Sequence, residues 1–162
     1  MPDYTKHKVG QYACTVVDHK IGERNADDYF ELNAIIDGMN YADGVDTSAP
    51  GTGDRITASI KISADQWWKL TAMLSALGYK GKSLDPIYND QVMFSGVQIV
   101  LECSHYENKK NGNINEYWNL PGRNALAPLR PEKKQLWNQL FAESVAKQDE
   151  QGGAITDADV PF

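Results

Sequence analysis

A period of two dominates residues 29–37, where Phe30, Leu32, Ala34 and Ile36 fall on one side of an extended chain and Tyr29, Glu31, Asn33 and Ile35 on the other. Residues 55–63 repeat the pattern, with Ile56, Ala58, Ile60 and Ile62 set against Arg55, Thr57, Ser59, Lys61 and Ser63. A helix, turning every 3.6 residues, would scatter both sets around its circumference, so each stretch is predicted to be a strand with one dry and one wet face. Two such strands call for an antiparallel sheet that covers its dry side and leaves the other in water.

The remaining elements are arranged around these two. Residues 9–17 are rich in β-formers and predict a first strand, followed by a polar loop over 18–28 that holds Lys20, Gly22 and Arg24. Residues 38–53 carry Gly38, Gly44, Pro50, Gly51 and Gly53, too many turn-formers for an element, and predict a long loop. Ser63 with Gln66 three residues later predicts a capped helix whose apolar stripe is Trp67, Leu70, Leu74 and Leu77, closed by Gly78. Trp67 is expected in the core, and Trp68, about 100° around the helix, is left open. After a turn-rich connection over 79–90, residues 94–106 alternate again through Val97, Ile99, Leu101 and Cys103. A polar connection centred on Asn111-Gly112 then leads to a partner strand over 114–120. Three strands, one helix and two strands is the element order of a five-stranded oligonucleotide-binding (OB) barrel with a helix between strands three and four.

Past Pro121-Gly122 the composition changes. Residues 123–130 predict a surface linker, and Pro131 opens a second helix with an apolar stripe of Leu136, Trp137, Leu140, Phe141 and Val145. That stripe needs cover, from the body or from a second copy, and with the open sheet edges it leaves room for a homodimer. The expected organisation is therefore a barrel domain over 1–122, a linker and amphipathic helix over 123–148, and a disordered acidic tail over 149–162.

Charge and cysteine usage narrow the chemistry. The net charge is −6, but residues 149–162 hold four acids and no base, so the rest carries 16 basic against 18 acidic side chains. Any phosphate contact must then come from local patches. Cys14 and Cys103 lie in apolar alternating segments and predict buried free thiols. The polar N-terminus and the lack of a long apolar run predict a soluble, intracellular protein with no membrane contact. A zinc site assembled from Cys103, His105, Cys14 and His19 lacks close repeated ligand pairs, so no metal or other cofactor is expected. Asp27, Asp28, Glu31 and Asp37 sketch a metal-nuclease cluster, but Glu31 points away from the apolar face that Asp28 shares. No nucleophile–base–acid set is visible, and the chain is not expected to be an enzyme.

The chain end, Asp157-Ala158-Asp159-Val160-Pro161-Phe162, resembles the acidic tip of bacterial-type single-stranded-DNA-binding proteins, with the acidic run thinned to Asp157 and Asp159. The body is similar to small phage-encoded single-stranded-DNA-binding proteins with an OB fold. The likeness is carried by a strand running into a Trp-containing helix that ends Ala76-Leu77-Gly78, by Phe94-Ser95-Gly96-Val97, and by Asn113-Ile114-Asn115-Glu116-Tyr117-Trp118. The resemblance implies coating of single-stranded DNA during phage replication, recombination or repair, in the host cytoplasm. It also implies recruitment of processing enzymes through Asp157, Asp159, Val160, Pro161 and Phe162.

The DNA-contacting residues follow from physical requirements. Binding a single strand without sequence preference takes cations along a groove and aromatic faces for the bases. Tyr29, Arg55 and Lys61 on the wet faces of strands two and three, Lys20 and Arg24 in the first connection, and Tyr106, Lys109, Lys110, Tyr117 and Trp118 around the last hairpin make up the expected track. A protein-interaction or virion-associated β-barrel that never touches DNA is the alternative, and a small metal-dependent nuclease a more distant one.

Overall fold

The computed structural model describes residues 3–122 and 124–151. Both alternating segments are strands, longer than the patterns that announce them. β1 (Gly10–Arg24) and β2 (Asp27–Tyr41) form one long antiparallel hairpin. The predicted polar loop over 18–28 is the distal half of this hairpin, turning at Asn25-Ala26, which hold φ of 55° and 67°. Its ladder sets Lys20 against Glu31, Ile21 against Phe30 and Arg24 against Asp27. Opposite charges and apolar pairs across a ladder stabilise strands whose composition alone reads as loop. Lys20 and Arg24 accordingly stand on β1.

β1 also changes parity along its length. Tyr12, Cys14 and Val16 are buried, and beyond a register shift between Val16 and Asp18 the inward positions become His19 and Ile21. The extra residue is Val17, a bulge that bends the strand while keeping its apolar side on the core. A further shift, between Ala13 and Cys14, leaves Asp37 of β2 outside the ladder, where it accepts a 2.6 Å hydrogen bond from Thr15 Oγ1.

The predicted loop over 38–53 contains a short strand, β3 (Gly44–Asp46), folded back on the end of β2. A Cβ at Gly38 would lie 2.3 Å from the Asp46 carbonyl oxygen, so this close approach requires glycine. β4 (Arg55–Ile62) pairs with β2 from Ile35↔Arg55 to Asp28↔Ile62, β5 (Gln98–Glu107) pairs with the first half of β1, and β6 (Ile114–Asn119) pairs with β5. The path is β3-β2-β1-β5-β6, with β4 also on β2. The sheet thus has six antiparallel strands where the sequence pattern predicts five. It is not closed into a barrel: among the described residues β4 and β6 run alongside each other without a hydrogen-bonded ladder.

α1 (Trp67–Ala76) starts a turn later than the capping pattern predicts. Gln66 stands at the N-cap with no side-chain bond, its own N–H donating to the Ser63 carbonyl. Leu70, Met73, Leu74 and Leu77 are buried, whereas Trp67 is 44% exposed and Trp68 64%. The expected core position of Trp67 is corrected by Met73, which recentres the buried stripe and leaves Trp67 about 70° off its middle in the first turn. A short helix, α2 (Asp85–Tyr88), buries Ile87. Cys14 and Cys103 are buried free thiols, and burial pushes both up to about 12.

The chain divides into two compact units, Met1–Pro128 and Leu129–Phe162. Residues 124–128 belong with the first because Gln11 Nε2 donates to the Leu126 carbonyl at 3.2 Å and the Ala42 N–H to that of Pro128 at 2.9 Å. The second unit contains α3 (Pro131–Gln151), whose Leu136, Trp137, Leu140, Phe141 and Val145 are exposed. Among the described residues no helix is long and apolar enough to cross a membrane.

Candidate nucleic-acid interface

The wet side of β1, β2 and β4 collects five of the predicted site residues. Ladder register places Tyr29 between Gly22 of β1 and Lys61 of β4, and Glu31 between Lys20 and Ser59. The Arg24 guanidinium lies 4.9 Å from the centre of the half-buried Tyr29 ring. Around them is a shallow depression of about 260 Å³ lined by Lys20, Gly22, Arg24, Tyr29 and Glu31. A Cβ at Gly22 would meet nothing within 4 Å, so a slot is open beside the tyrosine.

The cations here are balanced by acids. Arg24 pairs with Glu31 at 3.1 Å, Arg55 with Asp18 at 3.4 Å and Lys61 with Asp27 at 3.4 Å. The side chains of the three cations are at least half exposed, and such pairs are worth about 0–1 kcal/mol, so an incoming phosphate can exchange for a carboxylate at small cost. Three of the acids that sketch a nuclease cluster in the sequence are engaged: Asp27 and Glu31 in these pairs, Asp37 by Thr15. Among the described residues Lys20 makes no ion pair.

The second predicted group sits on the β5–β6 hairpin. Tyr106 and Tyr117 are exposed on its outer side, and Lys109 and Lys110 are exposed in the turn, without an ion pair among the described residues. Register puts this turn beyond the Gly10 end of β1 and the Arg24 cluster at the opposite end. No hydrogen bond, ion pair or ring contact joins the two groups among the described residues.

Trp118 drops out of the track. It is 4% exposed, with its ring edge-on to Tyr12 at 5.1 Å and to His7 at 5.5 Å, so neither face is available to a base. Its parity on β6 decides this, because the inward side of the strand carries Trp118 opposite Cys103.

Sequence reasoning missed the polar knot that holds Trp118. Glu116 Oε1 accepts the backbone N–H groups of Lys6 and His7, while Oε2 accepts the Trp118 indole N–H at 2.9 Å and lies 2.8 Å from His7 Nδ1. His7 Nε2 lies 2.8 Å from Asp54 Oδ2, so the buried ring bridges two carboxylates. Burial works to raise the Glu116 carboxyl, but the hydrogen bonds from the His7 ring, the two backbone N–H groups and Trp118 hold it below its usual range. The His7 hydrogen bond, with Lys6 nearby, lowers Asp54 as well. Cys103, His105 and Glu116 bring a thiol, an imidazole and a carboxylate within 4.8 Å of one another, a mixed donor set that zinc accepts. Those donors are engaged, however: His105 Nε2 bonds the His7 carbonyl at 2.7 Å, and both Glu116 oxygens are taken. Cys14 and His19, the other residues considered for zinc, lie apart from this cluster, His19 being stacked on Phe30.

A deeper groove, about 700 Å³, runs between α1 and the end of β6 and is lined by Ile60, Trp68, Met73, Leu120 and Pro121, with Lys69 beside them. The predicted recruiting residues Asp157, Asp159, Val160, Pro161 and Phe162 lie outside the described residues. Compared with known proteins, the chain matches no protein-family model and no curated protein sequence.

Proposed function

We propose that this protein binds single-stranded DNA on the wet face of β1, β2 and β4, without strong sequence preference. The observation that carries the reading is the open slot between Tyr29 and Gly22, roofed by Arg24 and flanked by Lys20 and Lys61. A base stacked on the tyrosine contributes about 1–3 kcal/mol, and the surrounding cations meet the phosphates. Lys109 and Lys110 extend the track along the other hairpin. The order β4-β2-β1-β5-β6, with a helix between β4 and β5 and with β6 alongside β4, supports an OB-type barrel of the partly open kind. In this reading the protein coats strands during phage DNA replication, recombination or repair, and the tip at Asp157, Asp159, Val160, Pro161 and Phe162 recruits processing enzymes.

Fluorescence anisotropy of a labelled oligo-dT, with EDTA present and at two salt concentrations, tests the proposal. Binding weakened by salt is expected, reduced about 5- to 150-fold in Tyr29→Ala. Gly22→Leu, whose Cβ meets nothing within 4 Å, puts a side chain beside Tyr29 and should weaken binding while leaving the melting temperature unchanged. Absence of binding, or full affinity in both variants, excludes this face. One observation favours a protein-interaction reading instead, the apolar groove beside the exposed Trp68. A protein that ignores the oligonucleotide but loses a partner on Trp68→Ala would establish it.

A further inference from the structure

We infer that residues 3–9 form a strap across the unpaired seam between β4 and β6, fastened by a His7 that carries a proton on both ring nitrogens and released as the pH rises. Nothing in this depends on DNA binding, and every residue involved belongs to the first unit. Among the described residues β4 and β6 run side by side without a ladder, and the strap bridges them at one end. Its Tyr4 N–H donates to the carbonyl of Ile114, the first residue of β6, at 2.8 Å, and its Lys6 and His7 N–H groups donate to Glu116 of the same strand. The His7 ring then reaches Asp54, the residue before β4.

The strap has no apolar anchor. Of residues 3–9 only His7 is buried, while Tyr4 is 62% exposed and Val9 60%. Hydrophobic burial therefore contributes little to holding the segment, and polar contacts centred on one ring decide whether it stays. The ring sits in a fitted place. It stands edge-on to Trp118 at 5.5 Å, and a Cβ on Gly51, in the turn before β4, would lie 2.7 Å from its Cδ2.

The distances determine the protonation state. Nδ1 lies 2.8 Å from Glu116 Oε2, and Nε2 lies 2.8 Å from Asp54 Oδ2. A neutral imidazole has one N–H and one lone pair, so it donates to one of these oxygens and points a lone pair at the other. Neither carboxyl supplies the missing proton near neutral pH, since both are held below their ordinary range. An imidazolium donates to both, and each bond is then charge-assisted. The fastened strap thus holds one proton more than an open strap with a neutral ring, so its stability falls as the pH rises. One proton multiplies the open population by at most about ten for each pH unit.

The other titratable groups around the ring are silent or separable. Burial pushes Tyr12 of β1 and Cys103 of β5 up to about 12. Lys6 lies 3.5 Å from Asp54 through Nζ, and His105 of β5 bonds the His7 carbonyl through Nε2 at 2.7 Å.

Nitrogen-15 spectra of the histidine rings and amide hydrogen exchange, both on the full-length protein, are the test. Near neutral pH the His7 ring is expected to show two N–H groups. Protection of the Tyr4, Lys6 and His7 amides, corrected for the intrinsic rate, should fall by up to about tenfold per unit from about pH 7 to about pH 9, while the β2–β4 ladder keeps its own. His7→Gln, which cannot take up the charge, should leave the three amides poorly protected at every pH, whereas Lys6→Gln and His105→Gln should keep the wild-type response. A His7 ring with a single N–H near neutral pH overturns the proposal, as does wild-type protection indifferent to pH. A pH response that survives His7→Gln, or that is lost in Lys6→Gln or His105→Gln, overturns it as well.

Discussion

Replacing Glu116 by alanine removes the acceptor for four donors at once. Two of them, the His7 ring and the Trp118 indole, belong to buried side chains, and a third is the backbone N–H of His7, whereas the exposed Lys6 N–H can turn to water. Each buried polar group left without a partner costs about 1–3 kcal/mol, and partial relaxation brings the expected loss to about 3–5 kcal/mol, comparable to breaking a buried ion pair. That is a large share of the roughly 5–15 kcal/mol by which domains of this size are stable. Glu116→Gln keeps the shape and one acceptor, and should lose less. Urea unfolding at pH 7, followed by circular dichroism, gives the difference directly. The acid limb provides a second readout. Because the folded carboxyl is held below its ordinary value of 4.5, its contribution is complete above that pH and is lost as the pH falls through the lower folded value. Asp54, lowered from 3.8, acts in the same direction. Wild-type stability should therefore decline more steeply below about pH 4.5 than that of Glu116→Gln. A loss under about 1 kcal/mol in Glu116→Ala, the worth of one ordinary hydrogen bond, would refute the role assigned to the knot.

Gly38→Ala should lower the urea midpoint, since its Cβ meets the Asp46 backbone at 2.3 Å and must part β3 from β2; overpacking of this kind costs about 1–3 kcal/mol. Cys14 and Cys103, with thiols pushed up to about 12 by burial, should react with a thiol reagent only at the rate of unfolding, whereas immediate labelling of the native protein would contradict their placement. In the DNA-binding reading, Lys109→Ala/Lys110→Ala should lower the slope of log affinity against log salt by about 1 for each phosphate that the two lysines neutralise, and an unchanged slope removes that hairpin from the track.

The alternation over 29–37 and 55–63 was enough to determine which sides of β2 and β4 are dry, because side-chain parity in a strand is a local property. The Asn111-Gly112 connection, α3 and the buried thiols were legible for the same reason. What only the tertiary structure decided depends on partners far along the chain. The charged run over 18–24 became strand because β2 pairs with it along its length, with Lys20 opposite Glu31, Ile21 opposite Phe30 and Arg24 opposite Asp27, and the bulge at Val17 then put Lys20 on the wet face. Trp67, expected in the core, is 44% exposed through the helix's recentring on Met73, and Trp118, expected to offer a face to a base, is buried through its parity on β6. His7, Asp54 and Glu116 carry no local pattern at all. Asp54 and Glu116 stand 47 and 109 residues along the chain from the histidine they share, and only the folded sheet brings them within 2.8 Å of its ring. Periodicity records which way a side chain points; what it meets there is set by chain segments that the pattern does not contain.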